Sequence, residues 1–217
     1  NDFKLDIVVV EDIEERLAML LAGAVQAGFI PSGSAAGLET DELRTLASVY
    51  YEPLWIFYRR ALSPEKMIDD LQMLRGARVA LGPGSIGTER LAHLLFELNG
   101  ITAANTTFVD LEPDAAADGL RDGTLDAAFF AGAATEEVIL PLLRDPSLDL
   151  ISLRRAEAYT NRYRFLTTLT LPEGLIDLEA NLPEEEKTLL SAVANVVIRH
   201  DLHPDLTATD DLAEAVT

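Results

Sequence analysis

Apolar residues along this chain occur either in short runs or at helical spacing, and the two patterns alternate. Short apolar and β-branched runs predict strands, and stripes with a period of three to four predict helices. Strands are predicted at residues 3–10, 25–30, 48–59, 77–81, 106–111, 125–130, 148–153, 165–171 and 192–198. Helices are predicted at residues 12–22, 40–46, 89–99, 114–121, 136–143 and 203–216, with a helix or irregular connection at 154–164.

Two stretches one hundred residues apart share the same pattern. The residues Leu20, Gly23, Val25, Ala27 and Phe29 recur as Leu120, Gly123, Leu125, Ala127 and Phe129. Each stretch predicts a helix that ends at glycine and a short buried strand after it. The chain therefore predicts two related α/β lobes with a ligand cleft between them.

The strand, loop and helix at residues 77–99 precede the repeated unit in the second lobe. The matching unit of the first lobe would lie before Asn1, so we expect the first lobe to lack its opening strand and helix. The series of strands and helices from 77 to 130 predicts a parallel sheet. Pro53 lies inside the strand at 48–59 and predicts an edge strand, or one that leaves one sheet for another.

The formal net charge of −20 argues against nucleic acid and anionic membranes as partners. The chain has no cysteine, which excludes disulfides and thiolate chemistry. His200 and His203 have no third ligand at a suitable spacing, so we expect no metal site. No nucleophile and base pair is evident either, and we expect neither a cofactor nor an enzymatic activity.

The glycine-rich loop at residues 82–88 is the strongest candidate for ligand contact. It lies between a predicted strand and a predicted helix, where free backbone N–H groups and the helix dipole bind anions. Ser85, Gly87 and Thr88 would then hold a carboxylate or phosphate. A tight turn with a helix N-cap is the alternative interpretation.

Other candidate ligand contacts follow the repeated strands or lie on the strand at 48–59. Residues Ser32, Gly33 and Ser34 follow the first copy, and Phe130 and Ala131 end the second. Such positions, at the carboxyl ends of strands, bind ligands in α/β folds. Alternation places Tyr51 and Trp55 on one face of the hinge strand and Glu52 on the other, so Tyr51 and Glu52 complete the predicted site. Simple turns and interface packing are the alternatives.

Four stretches together are characteristic of one family: residues 46–59 (LASVYYEPLWIFYR), 76–88 (GARVALGPGSIGT), 120–130 (LRDGTLDAAFF) and 199–204 (RHDLHP). Their order and spacing resemble the TAXI family of TRAP transporter solute receptors. The resemblance covers nearly the whole chain. Gly87 and Thr88 match the family's glycine loop, whereas Ile86 stands where that family has serine.

The resemblance implies a two-lobed type II periplasmic-binding-protein fold with parallel-rich sheets and flanking helices. Lobe one would comprise residues 1–54 and 193–217, and lobe two residues 55–192. It also implies an extracytoplasmic or periplasmic receptor that captures a small organic acid or amino acid and passes it to TRAP membrane permease subunits. A membrane anchor outside this sequence is compatible with that role. A ligand-sensing regulatory domain and an enzyme on the same scaffold are the alternatives.

Overall fold

A computed structural model describes residues 5–10, 12–32, 42–82 and 88–199. The α-helices are α1 (Ile13–Leu21), α2 (Thr88–Leu98), α3 (Pro113–Asp122), α4 (Ile139–Leu143) and α5 (Ala156–Arg162). The strands are β1 (Ala27–Pro31), β2 (Leu43–Arg59), β3 (Arg78–Ala80), β4 (Thr107–Val109), β5 (Ala127–Ala131), β6 (Leu148–Leu150), β7 (Leu166–Leu171) and β8 (Lys187–Arg199). Short 3₁₀ helices occupy Arg60–Leu62 and Leu71–Leu74.

The strands form one eight-stranded sheet in the order β1-β8-β2-β5-β3-β4, with β6 also paired to β2 and β7 to β8. The long strands β2 and β8 run antiparallel along most of their length and connect the two ends of the sheet. Parallel pairing joins β3 to β4 and β3 to β5. This arrangement confirms the predicted α/β class and the parallel unit at residues 77–130.

Both copies of the repeat have the predicted helix, glycine and strand, but only the second strand is buried as predicted: β5 is buried, whereas in β1 the Phe29 side chain is 52% exposed. Gly23 follows α1 with φ +71°, and Gly123 follows α3 with φ +84°. These left-handed conformations are readily adopted by glycine, which has no side chain to clash. The strands that follow the two glycines pair differently: β1, after Gly23, pairs antiparallel with β8, and β5, after Gly123, pairs parallel with β3.

Two predicted elements are wrong. The described part of the strand expected at 3–10, residues 5–10, has no regular secondary structure. Its β-branched residues favour extended backbone, but a strand also needs a neighbour for its ladder. Of the helix expected at 40–46, residues 43–46 are instead the start of β2, where Leu43 pairs with Arg199 and packs against the core beside α1. Tertiary pairing thus overrides the local helical preference of this polar stretch.

The position of Pro53 is also corrected. β2 is a central strand, and Pro53 lies opposite Ser191 of β8. The carbonyl oxygen of Pro53 accepts a hydrogen bond from the N–H of Gly132, just after the end of β5. In an antiparallel ladder the N–H and C=O of one residue point to the same side. The missing donor of Pro53 therefore faces the end of β5 and removes no hydrogen bond to β8.

The remaining predicted elements agree with the structure to within a few residues, except that β8 begins five residues before the predicted strand at 192–198. The predicted helix at 203–216 lies outside the described residues. Among the described residues, no helix is both long and apolar enough to cross a bilayer.

Three hydrophobic clusters form the core. Alternate residues of β2 separate two of them: Leu54, Ile56 and Tyr58 face the cluster that contains α2, and Trp55 and Phe57 face the cluster that contains α3. A third cluster lies between α1, β1 and β8. The change of cluster near Leu54 is close to the predicted boundary between residues 1–54 with 193–217 and residues 55–192. That division stays a prediction.

Arg78 and Asp126 join β3 to the start of β5 at the amino ends of the parallel strands. The Asp126 carboxylate accepts hydrogen bonds from the backbone N–H, Nε and Nη2 of Arg78, at 2.8, 3.0 and 2.7 Å. These bonds, above all those from the guanidinium, lower the pKa of Asp126. They stabilise the carboxylate in the folded state only.

We expect Asp126→Asn to lower the free energy of unfolding by about 1–2 kcal/mol at pH 7, because it removes charge-assisted hydrogen bonds. A depressed folded-state pKa stabilises the protein above the carboxyl's unfolded pKa, near 4, and that stabilisation disappears as pH falls through the folded value. The difference between wild type and variant should thus shrink in acid. Urea denaturation at pH 7 and at acidic pH measures this difference in stability. Asp118→Asn, which removes an exposed partner of Arg121, is the control and should change little.

Candidate functional site

A cavity of about 540 Å³ opens where the three parallel strands end. Gly82 follows β3, Leu111 follows β4, and Ala131 is the last residue of β5. The described lining consists of Gly82, Thr88, Leu111, Glu112, Pro113, Asp114, Ala116, Phe129, Phe130, Ala131, Glu136, Glu137 and Val138. The cavity therefore lies at the carboxyl edge of the sheet, where α/β folds bind ligands.

The amino-terminal ends of two helices meet at this cavity. α2 begins at Thr88, and α3 begins at Pro113 after an extended Glu112 that makes no side-chain capping hydrogen bond. The first N–H groups of a helix have no partner within the helix, and its dipole is positive at that end. α2 packs on one face of the sheet and α3 on the other, so both positive ends approach the cavity from opposite sides.

Thr88 is the most buried polar residue of the lining. It is 6% exposed, and no hydrogen bond joins its hydroxyl to another described residue. Gly82 has φ +88°, and a Cβ added to it would lie 3.5 Å from Cβ of Thr88. That left-handed backbone allows the chain to turn from β3 toward α2. Thr88 is thus held in the lining with its hydroxyl available to a ligand.

Two phenylalanines form the apolar part of the lining. Phe129 contacts Phe96 edge to face at 5.1 Å between ring centroids, and Phe130 contacts Phe57 in the same way at 5.9 Å. The first pair lies in the cluster with α2 and the second in the cluster with α3. Because both rings are fixed by aromatic partners on opposite faces of the sheet, the lining is formed before a ligand binds.

Four carboxylates also line the cavity: Glu112, Asp114, Glu136 and Glu137. No ion pair or side-chain hydrogen bond joins any of them to another described residue. Glu112 and Asp114 stand at the start of α3, where the helix dipole favours negative charge. Glu136 and Glu137 lie in the turn before α4. Because α4 has only five residues, its dipole stabilises these two carboxylates less than the dipole of α3 stabilises Glu112 and Asp114.

The predicted contact Glu52 lies on β2 and is not among the residues that line the cavity. Its neighbour Pro53 accepts the Gly132 N–H, and a Cβ added to Gly132 would lie 3.1 Å from Cγ of Glu136. Burial raises the pKa of Glu52; Arg16 opposes that shift and the Glu136 carboxylate adds to it. Glu52 therefore belongs to the same negative region as Glu136.

We expect Glu52→Gln to make the protein more stable than wild type at pH 7. A raised folded-state pKa means that the fold disfavours the ionised carboxylate, so stability is complete below the unfolded pKa and decreases as pH rises through the folded value. The advantage of the variant should disappear below about pH 4, where the carboxyl is protonated in both states. Thermal unfolding across this pH range measures it. A variant no more stable than wild type at pH 7 would contradict the assignment.

The structure brings three of the predicted site residues, Thr88, Phe130 and Ala131, into the cavity lining. Ser32 lies elsewhere: its N–H donates to the carbonyl of Val193, and its hydroxyl accepts from Nδ2 of Asn195. Tyr51 is exposed and pairs with Val193 across β2 and β8. Neither residue lines the cavity. The predicted contacts Gly33, Ser34, Ser85 and Gly87 lie outside the described residues.

The sequence-based site omitted the four lining carboxylates. Each follows a predicted strand by a few residues, which was the available signal, but acidic residues at helix starts are common on any surface. Among the described residues, no group of three or more histidine, aspartate or glutamate side chains has the geometry to hold a metal ion.

Many solved structures share this fold, and three examples illustrate it. XAC2383 from Xanthomonas citri, bound to ATP, is 15% identical with a TM-score of 0.62 and covers 97% of this chain and 70% of its own. The CcmR regulatory domain from Synechocystis PCC6803, in complex with 2-PG, is 11% identical with a TM-score of 0.56. The match covers 94% of this chain and 78% of the CcmR domain. The putative periplasmic sulfonate-binding protein SsuA from Methylobacillus flagellatus is 15% identical with a TM-score of 0.52. The match covers 92% of this chain and 48% of the sulfonate-binding protein.

These similarities confirm the predicted type II periplasmic-binding-protein fold. The chain spans less than half the length of the sulfonate-binding protein. The family model described as the NMT1-like family matches residues 6–206, which is nearly the whole sequence. The chain therefore belongs to the NMT1-like family.

Proposed function

We propose that this chain is the solute-binding part of an extracytoplasmic receptor for a TRAP-type transporter, in the TAXI family. The family membership, the fold and the four stretches that resemble TAXI receptors support this proposal. The observation that carries it is the cavity at the carboxyl ends of β3, β4 and β5, between the starts of α2 and α3. A preformed cavity with a few polar groups is typical of a small-molecule site.

The proposed ligand is a small organic acid or amino acid. Backbone N–H groups at the start of α2 and the Thr88 hydroxyl would hold its carboxylate, and Phe129 and Phe130 would contact its apolar part. Residues 32–34, 85 and 87, together with Tyr51 and Glu52, stay predicted contacts of the closed form. Arg90 on α2 lies 4.0 Å from Glu14 on α1, so charged groups of the two predicted lobes already face each other. Ligand binding would favour the closed arrangement.

Isothermal titration of the full chain with organic and amino acids tests the proposal. A receptor should bind at least one member with a dissociation constant in the micromolar range or below. Transport by cells that carry the adjacent permease genes should then depend on the receptor. The absence of binding across such a panel would contradict the proposal.

We also propose that binding occurs without chemical conversion. The described lining contains carboxylates, a threonine and aromatic rings, but no hydrogen bond pairs the Thr88 hydroxyl with a carboxylate that could activate it as a nucleophile. Mass spectrometry of ligand recovered after prolonged incubation should show an unchanged compound. A time-dependent product would indicate an enzyme instead.

A ligand-sensing regulatory domain is the second candidate. The observation that favours it is the likeness to the CcmR regulatory domain, which has a higher TM-score than the sulfonate-binding protein. Gene neighbourhood distinguishes the two candidates, since a receptor gene should lie beside genes for a multispanning permease. A fused or adjacent signalling partner would favour the sensor.

A further inference from the structure

We propose that Trp55 is a positioning residue for the cavity, although it is not itself part of the described lining. Its indole N–H holds the backbone that follows β5 and connects that backbone to the long strand β2. A solute bound in the cavity therefore changes the surroundings of Trp55. This inference rests on the proposed function as a solute receptor and identifies how the cavity is supported and how its occupancy reaches the rest of the sheet.

The hydrogen bonds of Gly132 are the first argument. The indole N–H of Trp55, which is completely buried, donates to the carbonyl oxygen of Gly132 at 2.9 Å. The N–H of Gly132 donates to the carbonyl oxygen of Pro53 at 3.3 Å. A buried indole N–H without an acceptor is costly, so the first bond ties the position of Gly132 to that of Trp55. Both backbone polar groups of Gly132 are thus held by β2.

The position of Gly132 in the cavity wall is the second argument. Gly132 lies between Ala131 and Glu136, which both line the cavity. Its φ of +128° is a conformation that glycine adopts and other residues rarely do, and a Cβ at this position would lie 3.1 Å from Cγ of Glu136. The turn after it is closed by a hydrogen bond from the Glu136 N–H to the carbonyl of Ala133. A shift of Gly132 therefore moves the lining on both sides of it.

A series of aromatic contacts is the third and independent argument. Phe130 lines the cavity and contacts Phe57 edge to face, with 5.9 Å between ring centroids. Phe57 in turn lies parallel to the Trp55 ring at 6.4 Å. Trp55 is thus connected to the lining through its indole N–H and through its ring. Contact between a solute and Phe130 or Ala131 reaches it by either route.

The place of Trp55 on β2 gives these contacts a consequence beyond the cavity. β2 pairs with β8 from Leu43 to Leu54 and with β5 from Leu54 to Tyr58. Trp55 directly follows the residue at which β2 changes partner, which is also the predicted boundary between the two lobes. The hydrogen bond to Gly132 therefore joins the cavity wall to the part of β2 where the predicted lobes meet and where their closure would bend the sheet.

Amide hydrogen exchange of the full chain tests the positioning role without a ligand. The N–H groups of Gly132 and Glu136 should exchange about fivefold faster in Trp55→Phe than in wild type, because the wall loses the hydrogen bond that fixes it. The N–H of Leu125, which bonds to the carbonyl of Gly119 before the opposite end of β5, should exchange at the same rate in both proteins. Unchanged exchange at Gly132 and Glu136, or an equal increase at Leu125, would overturn the positioning role.

A side chain of matched shape separates the hydrogen bond from packing. Because Trp55 is the only tryptophan, tryptophan analogues replace this side chain alone. Benzothienylalanine, which has sulfur in place of the indole N–H, should reproduce the faster exchange, whereas 5-fluorotryptophan, which keeps the N–H, should retain wild-type exchange. Ile101→Val, a buried substitution in the cluster with α2, is the control for a general loss of packing and should leave Gly132 unaffected. Wild-type exchange with benzothienylalanine would show that the indole N–H does not hold the wall.

Fluorine NMR of the chain labelled with 5-fluorotryptophan then tests the connection to ligand binding. Titration with succinate, glutamate and the other organic and amino acids of the calorimetric panel should shift the single fluorine resonance in proportion to the bound fraction that calorimetry gives for the same compound. Heat of binding without a shift would overturn the connection and leave the proposed receptor function standing. Absence of both for every compound would count against the receptor function and the connection, while hydrogen exchange separately decides whether Trp55 holds the wall.

Discussion

Replacing Lys187 with methionine should lower the free energy of unfolding by about 3 kcal/mol, because it leaves a buried carboxylate without its main counter-charge. The Lys187 side chain is 5% exposed and that of Asp149 is 9% exposed, with 3.2 Å between Nζ and Oδ1. Asp149 also accepts a hydrogen bond from the Tyr58 hydroxyl. These contacts connect β8, β6 and β2 inside the sheet, and equilibrium urea denaturation measures the loss.

Two further variants separate burial from distance in this prediction. The double variant Lys187→Met with Asp149→Asn should be more stable than Lys187→Met alone, because it removes a buried carboxylate whose remaining counter-charge is Arg60, 3.8 Å away. Arg144→Met breaks an ion pair that is shorter, at 2.6 Å, but whose arginine is 54% exposed. We expect it to cost less than about 1 kcal/mol. A loss as large as that of Lys187→Met would show that distance, and not burial, determines the effect.

Replacing Trp55 with alanine should lower the free energy of unfolding by about 3–5 kcal/mol. The side chain is completely buried and lies parallel to the Phe57 ring at 6.4 Å. The substitution leaves a large void in the cluster with α3 and deprives the Gly132 carbonyl of its indole donor. Chemical denaturation followed by circular dichroism measures the loss, since this is the only tryptophan in the chain.

Trp55→Phe is the matched control for that prediction. It retains most of the apolar volume and removes the indole N–H, so we expect a loss of about 1–2 kcal/mol. A phenylalanine variant as unstable as Trp55→Ala would mean that the hydrogen bond, and not packing, carries the effect.

The parallel unit at residues 77–130 was predictable because its signals are local. Gly100 and Gly123 end helices with positive φ, and the intervening strands are short apolar runs. Helix periodicity and glycine termination need no knowledge of distant residues. For the same reason the helix at 12–22 and the repeated strand after Gly23 were predicted correctly.

The errors fall where distant residues decide the structure. Whether residues 5–10 form a strand depends on a partner, and whether 43–46 are extended depends on pairing with β8, which lies some 150 residues later in the chain. The edge position predicted from Pro53 assumed that the missing backbone N–H of this proline would face a neighbouring strand. The direction of that donor depends on where β5 ends, which the sequence near Pro53 does not contain.

The predicted site and the cavity overlap only in part. Strand ends in a parallel sheet share one edge, which predicted Phe130 and Ala131, and the glycine loop before α2 predicted Thr88. The contacts predicted from the first lobe and from β2, such as Ser32 and Tyr51, are not in the described lining. The sign of the charge around the cavity was not predicted, because Glu112 and Glu136 come from separate loops. Their proximity depends on how α3 and the turn before α4 pack on the sheet.

The described lining of the cavity comes from one uninterrupted stretch of sequence, from Gly82 to Val138. The long strands β2 and β8, which connect the two ends of the sheet, contribute none of this described lining. A single recombination event within the gene, with breakpoints in the exposed turns on either side, would therefore replace the ligand-contacting surface as a unit. Diversification of ligand preference in such a protein then requires only that the new segment keep its contacts with Trp55 and Phe57 of β2.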